Sequence, residues 1–459
     1  LLFLAIYAIN NPLFMTGFIF KSKKFLLLLG DIGCLYLALY LTLVLRYWGN
    51  FDPAAWPTHA AAFLSIFIAW LLVFYISDFY ELKISYNNIS LLANYGRAII
   101  INGIIAVLLF YFLAPLFPQI KPQRVLIYDL IITFVLLLGW RKIFYRLIKS
   151  PQIANHVLII GDNPLAEELL EEIKKRPQLG YVAQTIKRMP EDLKDYCLTN
   201  QIDILVSSYN LSRDAEVARK IFDCLSLGID VYHINGFYEQ IAQKIPVEFI
   251  ETNWFLENLS ENSKKSFEIS KRLLDIIGSL IGLIVSLPFI PFIALIIGLE
   301  SPGPIIFRQI RTGKNSKAFL AMKFRSMIKD AEKNGAQWAS KNDARVTNFG
   351  RIMRKTRLDE IPQLVNILRG EMSLIGPRPE RPEFVELLAK EIPFYQERLL
   401  VKPGLTGWAQ LLGPAYGGSR KESLEKLKYD LYYIKNRSLM LDLSIILKTL
   451  RVVLGGRGQ

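Results

Sequence analysis

Apolar residues in the first third of the chain fall into four long runs, at 25–47, 60–80, 98–117 and 125–148. Each approaches or exceeds the length of about 20 residues that a helix needs to cross a bilayer. Lys21, Lys23 and Lys24 precede the first run and Arg141, Lys142, Arg146 and Lys149 close the last, whereas the first connection holds Arg46 and His59. By the positive-inside rule both ends of this four-helix block face the cytoplasm; Lys121 and Arg124 in the third connection weaken that assignment without reversing it. Residues 1–20 are also apolar, but Asn10-Asn11-Pro12 interrupts them, and no basic leader or small-residue cleavage site makes them a signal peptide. The chain opens on Leu, and the expectation is that Met15 is the natural start, with residues 1–14 an upstream extension or a short extra membrane segment.

From about position 155 the pattern changes. Short β runs at 156–160, 204–207 and 229–233 alternate with helical stretches at 165–175 and 215–226, which predicts a parallel, Rossmann-like α/β domain. After the first strand, Gly161-Asp162-Asn163-Pro164-Leu165-Ala166 carries Asn and Ala where a dinucleotide fingerprint has its second and third glycines. Asn163 and Pro164 crowd the place where backbone must approach a pyrophosphate, so the domain reads as structural, with a regulatory nucleotide as the alternative.

A further apolar run, 271–299, contains Pro288 and Pro291. Lys264, Lys265, Lys271 and Arg272 flank its front and Arg308, Arg311, Lys314 and Lys317 its back, the cytoplasmic signature at both ends. Each proline removes a helical hydrogen bond and kinks the helix. A re-entrant helix-break-helix that dips into one leaflet satisfies both facts better than a fifth crossing, with Ser286 before the kink a partner for freed backbone. The expected architecture is a four-helix transmembrane domain at 1–150, a Rossmann-like α/β domain at 151–262, and a mainly α monotopic domain at 263–459.

Composition agrees with this division. The 459 residues are 52% hydrophobic, and 55 Lys and Arg against 41 Asp and Glu leave a net charge of +14. Cations beside long apolar runs argue for a membrane-facing or anion-binding side and against nucleic acid. Three cysteines, Cys34, Cys197 and Cys224, have no metal-ligand or disulfide spacing. The last of three histidines is His233, which excludes Ser-His or Cys-His machinery beyond it. Residues 300–371 hold fifteen Lys and Arg against seven Asp and Glu. Those cations are interleaved with turn-forming and apolar residues, as in Phe307-Arg308-Gln309 and Met322-Lys323-Phe324-Arg325, which reads as a folded phosphate-binding floor; the bland alternative is a solvated face on anionic lipid.

Within that block lies Arg357-Leu358-Asp359-Glu360-Ile361-Pro362. One carboxylate of such a pair can attack phosphorus while the other helps hold a metal or manages a proton. Surrounding cations are expected to keep Asp359 ionised and to neutralise charge on a diphosphate. The competing reading is an ordinary helix-surface salt bridge between Lys355 and Asp359. Two Gly/Pro-punctuated loops follow, Ser373-Leu374-Ile375-Gly376-Pro377-Arg378-Pro379 and Lys402-Pro403-Gly404-Leu405-Thr406-Gly407-Trp408-Ala409-Gln410. They suit close backbone approach to phosphate, or are simply turns; Trp408 could stack on a base or sit at the bilayer interface.

The words KRLLDIIGSLIGL, GPIIFRQIRTG, FLAMKFRSM, DARVTNFGRIMRKTRLDEIPQLVNILRGEMSLIGPRP, VKPGLTGWAQ and YDLYYIKNRSLMLDL resemble, in order, the bacterial sugar transferase domain of the monotopic polyprenyl-phosphate phosphoglycosyl transferases. With the upstream segments, the chain is similar to the large members that start exopolysaccharide or O-antigen assembly. The resemblance implies that Asp359 attacks the β-phosphorus of a UDP-sugar, releasing UMP, and that undecaprenyl phosphate then takes the phosphosugar. It places Glu360 in Mg²⁺ coordination, with Asp359, or in acid/base work. Arg308, Arg311, Lys323, Arg325, Arg354, Arg378, Lys402, Gln410 and Asp430 become expected substrate contacts, and Ser286 and Pro288 the membrane kink. It further implies a homodimer among inner-membrane lipids, with the catalytic domain on the cytoplasmic face. The sequence departs from the family pattern where Leu287 rather than Ser precedes Pro288, and where Leu411-Leu412-Gly413-Pro414-Ala415-Tyr416-Gly417-Gly418-Ser419 replaces the usual Val-Asn-Gly-Arg. The rival class is a catalytically silent membrane scaffold or nucleotide-sensing regulator.

Overall fold

A computed structural model describes residues 12–47, 52–53, 56–81, 88–113, 122–148, 154–209, 214–259, 264–328, 331, 343–414 and 419–454. The expectations touching residues 1–11, 114–117, Lys121, Lys149 and 415–418 lie outside these. The chain divides into two compact units, Leu1–Ala242 and Gln243–Gln459.

The first unit opens with helices α1 (Pro12–Tyr47), α2 (Trp56–Ile76), α3 (Asn88–Leu113) and α4 (Pro122–Ile148). Among the described residues three stretches are long and apolar enough to cross a membrane: Lys23–Tyr47, Trp56–Ile76 and Leu92–Tyr111. α4 is not among those stretches. Its Arg141 is fully buried, ion-paired with Asp31 of α1 at 2.5 Å and donating to the Phe79 carbonyl at 2.9 Å. Ile100, Ile104, Val107, Ile127, Ile131 and Val135 meanwhile face outward. Polar groups inside and apolar groups outside are the arrangement a hydrocarbon solvent selects.

Lys23 Nζ donates to the Leu179 carbonyl at 3.0 Å, tying these helices to the α/β part of the same unit. That part runs β1 (Asn155–Ile160), α5 (Pro164–Lys174), β2 (Tyr181–Ile186), α6 (Leu193–Thr199), β3 (Ile204–Ser207), α7 (Ala215–Leu225), β4 (Asp230–His233) and α8 (Ile234–Ala242). All four strands are parallel in the order β2-β1-β3-β4. Central β3 is buried throughout and reads as a continuous apolar run. Edge strand β2 alternates with Gln184 and Thr185 and escaped the sequence reading. At the end of β1, Gly161 takes φ 121°, and a Cβ there would lie 1.9 Å from Ser208 Oγ. Asn163 Oδ1 caps α5 by accepting from Leu165 N–H at 2.8 Å. Glycine is thus required here both by its backbone conformation and by Ser208.

The second unit is mixed α/β rather than mainly helical. It comprises α9 (Thr252–Asn258), α10 (Lys265–Ser286), α11 (Ile290–Glu300), β5 (Ile306–Thr312), β6 (Ala318–Phe324), α12 (Asn348–Thr356), α13 (Gln363–Arg369), β7 (Ser373–Ile375), α14 (Pro382–Glu391), β8 (Gly404–Thr406), α15 (Trp408–Leu412), α16 (Arg420–Asn436) and α17 (Leu439–Leu454). Ile245, Val247 and Ile250, placed by sequence in the middle domain, pack here with Ile375, Trp408, Leu431 and Ile434.

α10 and α11 are bent by 65° across Leu287-Pro288-Phe289. Ser286 Oγ donates back to the Leu283 carbonyl at 3.1 Å, a group already bonded by Leu287 N–H. Ser286 therefore does not reach the Ile284 carbonyl, which Pro288 deprives of its donor. Short β7 and β8 lie backbone to backbone: a Cβ on Gly376 would come 2.4 Å from the Lys402 carbonyl, and one on Gly404 2.0 Å from Gly376 N. The close approach in those two loops is to each other. Trp408 is core, stacked on Tyr432 at 6.0 Å and donating from Nε1 to the Gln243 carbonyl at 3.2 Å, which removes both roles the sequence left open for it.

Candidate active site

The carboxylate pair owes its position to a break between two helices. Thr347 Oγ1 caps α12 by accepting from Gly350 N–H at 3.0 Å, and the helix ends where Arg357 adopts φ 60°. A side-chain-bearing residue in this left-handed region costs of order 1 kcal/mol or more. In return the chain reverses into one tight turn, Leu358–Glu360, before α13. Helix geometry therefore stops between Lys355 and Asp359, and the surface salt bridge offered by the sequence does not form. Asp359 and Glu360 are both buried, 6% and 5% exposed.

Three cations converge on one oxygen of Glu360. Oε1 accepts from Arg378 Nη2 at 2.8 Å, Lys323 Nζ at 3.1 Å and Arg357 Nη1 at 3.4 Å. Burial alone would raise this carboxyl, but Arg378, Lys323 and Arg357 outweigh it and hold Glu360 well below the usual carboxylate range. Asp359 goes the other way. Burial, and then the adjacent Glu360 charge, lift its carboxyl above the ordinary value although Lys323, Arg354 and Arg378 oppose the shift. The cations that the sequence expects to keep Asp359 ionised do act in that direction, but burial and Glu360 outweigh them there, and their close ion pairs are with Glu360.

Two polar atoms here are left over. Asp359 Oδ1 and Gln410 Nε2 are buried without a hydrogen-bond partner. Gln410 Oε1 accepts from Arg378 Nη1 at 3.3 Å, which orients the amide so that its free end is the donor. An unmet acceptor and an unmet donor beside a ring of cations form a cradle for a polar, anionic ligand.

Of the expected contacts, the structure gathers Lys323, Arg354, Arg378 and Gln410 around the pair. Arg354 Nε donates to Ser326 Oγ at 2.9 Å, and its charge acts on Asp359. Arg311 lies on the Lys323 face of the β5–β6 hairpin, bonded to the Pro379 carbonyl at 3.2 Å. Four others stand elsewhere. Arg308 pairs in register with Met322 and so occupies the opposite hairpin face. Arg325 donates to the Ser301 carbonyl and to the Pro302 carbonyl at 3.3 Å, capping the end of α11. Lys402 lines a separate cavity. Asp430 is engaged by Arg398 at 3.1 Å (Nε) and 2.9 Å (Nη2). The same Arg398 donates to the Arg378 carbonyl at 3.0 Å and, from Nη1, to Tyr395 Oη at 2.9 Å. Asp430 is thus a buttress behind Arg378. Arg357, Arg398 and Tyr395 were missed as site residues; Arg357 alone carried a signal, its place beside the pair.

Among the described residues no group of three or more acidic, His or Cys side chains could by itself enclose a metal. The free Asp359 Oδ1 does fit Mg²⁺, which commonly takes one or two carboxylates and completes its shell with phosphate oxygens and water.

The model of the family described as bacterial sugar transferase matches residues 266–456. An exopolysaccharide production protein, PSS, of Rhizobium leguminosarum bv. phaseoli is 42% identical over 186 residues, 39% of this chain and 93% of that protein. The UDP-N-acetylgalactosamine-undecaprenyl-phosphate N-acetylgalactosaminephosphotransferase of Aeromonas hydrophila is 41% identical over 250 residues, 54% of this chain and 58% of that protein. The UDP-glucose:undecaprenyl-phosphate glucose-1-phosphate transferase of Xanthomonas campestris pv. campestris is 33% identical over 329 residues, 68% of this chain and 64% of that protein. The chain belongs to the bacterial sugar transferase family. Its matches span somewhat under two thirds of the Aeromonas and Xanthomonas proteins.

Proposed function

We propose that this chain transfers a sugar 1-phosphate from a UDP-sugar to undecaprenyl phosphate, the first membrane step of exopolysaccharide, capsule or O-antigen synthesis. The observation that carries the reading is the buried, unpartnered Oδ1 of Asp359 beside a Glu360 pinned by three cations. Asp359 attacks the β-phosphorus, the bond from that phosphorus to the bridging oxygen breaks, and UMP leaves with the electron pair. An oxygen of undecaprenyl phosphate then attacks the aspartyl phosphosugar, and the phosphorus–Asp359 bond breaks to regenerate the carboxylate. Arg378 and Lys323, held by Glu360, and Arg354 beside Asp359 offset the diphosphate charge, and Gln410 Nε2 donates to the bound substrate. Mg²⁺, when bound through Asp359 or Glu360, would neutralise phosphate charge further. The names of the relatives, which specify N-acetylgalactosamine and glucose donors, support the substrate class.

The membrane reading that accompanies this function has four crossing helices, a Rossmann-like domain and a re-entrant α10–α11. It sets a homodimer in the bacterial inner membrane with its catalytic unit at the cytoplasmic face. The flanking cations and the 65° bend support it. The test is Asp359→Asn, which is expected to abolish UMP release from UDP-sugars while membrane insertion persists. Turnover like that of the wild type would overturn the assignment of the nucleophile.

A further inference from the structure

Outside the Asp359–Glu360 site, the second unit contains a cavity of about 390 Å³ where α10 begins, lined by Glu268, Ile269, Lys271, Arg272, Lys402 and Arg437 among others. None of its lining residues belongs to the ring around Glu360. Four cations face two carboxylates, Glu268 and Asp275, and most of that charge is accounted for. Lys271 pairs with Asp442 at 2.7 Å, Arg437 with Glu268 at 3.4 Å, and Asp275 accepts from Ser373 Oγ and Leu374 N–H, both at 2.9 Å.

Arg272 and Lys402 are different. Arg272 donates to neutral groups, the Ile367 carbonyl at 2.6 Å and the Leu368 carbonyl at 2.7 Å, which uses two of its five N–H donors, and it makes no ion pair among the described residues. Lys402 Nζ makes no hydrogen bond or ion pair among the described residues. Both cations close on the same point. A Cβ on Gly370 would lie 3.5 Å from Lys402 Nζ and 3.6 Å from Arg272 Nη2. Two like charges so near one point repel each other, and a phosphate group within reach of both would relieve that repulsion. Burial, and then the Arg272 charge, lower the Lys402 ammonium although the Asp275 and Glu268 carboxylates oppose the shift.

The cavity's apolar lip indicates what carries the phosphate. Ile269 is 74% exposed, and Leu273, Ile277 and Ile281 continue the same i,i+4 stripe, likewise exposed, along α10 toward the bend. We infer that this cavity binds the phosphate of an anionic phospholipid, with the headgroup at Lys402 and Arg272 and the acyl chains along the Ile269–Ile281 stripe. The site would anchor the foot of α10 independently of the transferase chemistry.

The test uses the full chain in nanodiscs of equal phosphatidylglycerol and phosphatidylcholine, extracted into detergent and weighed by native mass spectrometry. It reads lipid retention, so it stands or falls apart from turnover. The wild type is expected to keep phosphatidylglycerol in preference to phosphatidylcholine. Lys402→Gln should reduce that retention about fivefold, and Lys402→Arg, which keeps the charge, should restore it and control for folding. Equal retention by Lys402→Gln, or no preference between the lipids, overturns the proposal. Complete displacement of phosphatidylglycerol by excess inorganic phosphate also overturns it, assigning the cavity to a soluble anion.

Discussion

Asp430→Asn tests whether the network behind Arg378 is what holds the site in shape. Asp430 and Arg398 have side chains only 3% and 5% exposed, and their closest contact is 2.9 Å. Removing one charge of such a pair leaves the other buried and uncompensated, a loss of about 3–5 kcal/mol. Tyr395 Oη and the Arg378 carbonyl still accept from Arg398, which places the cost toward the lower end. For a unit of this size that corresponds to a melting shift on the order of 10 °C, read by near-ultraviolet circular dichroism of the detergent-solubilised chain. The double variant Arg398→Met, Asp430→Asn removes both charges and should recover most of the stability, because apolar replacement of a buried pair is often neutral. It should not recover UMP release, because nothing then fixes the Arg378 main chain. A melting shift of only a degree or two in Asp430→Asn, or full turnover in the double variant, would refute the buttress.

Three further outcomes follow from the geometry. Glu360→Gln removes the like charge that helps lift Asp359, so the acid limb of kcat/KM for UMP release should move to lower pH; an unmoved limb would show that burial alone sets Asp359. The stability signs are opposite: the depressed Glu360 stabilises above the ordinary carboxylate range and loses that contribution as pH falls through it, whereas the raised Asp359 destabilises as pH rises through its folded value. Gly404→Ala places a methyl 2.0 Å from Gly376 N, against backbone that cannot rotate away, and should cost about 1–3 kcal/mol or more in thermal unfolding; a neutral result would mean β7 and β8 are not paired. Cysteines substituted at Lys264 and Lys314 should both label from the cytoplasmic side in inside-out vesicles, and periplasmic labelling of either would restore a straight fifth crossing.

What the sequence disclosed were features carried by neighbouring residues. The apolar runs of β1, β3 and β4, the break at Pro288 and the adjacency of Asp359 and Glu360 need no tertiary information. What stayed hidden depends on residues distant in sequence meeting in space. Fifteen cations between 300 and 371 look alike on paper, yet Arg325 caps a helix, Arg308 faces away and Lys323 grips Glu360. Register and helix ends decide among them, and charge does not. Polar edge strand β2 was missed because one solvated side breaks its apolar run, and Trp408 was ambiguous because its ring suits a core, a base or an interface equally.

The least legible property was the difference between two adjacent carboxylates. The sequence allowed the pair opposite roles without showing what separates them; the folded turn puts one oxygen of Glu360 within 3.4 Å of three cations and leaves Asp359 Oδ1 with no partner. The cations therefore hold Glu360 ionised as an anchor for Arg378 and Lys323. Asp359, lifted by burial and by that anchor's own charge, retains the unsatisfied oxygen, which is the one free to react if Asp359 is the nucleophile proposed above.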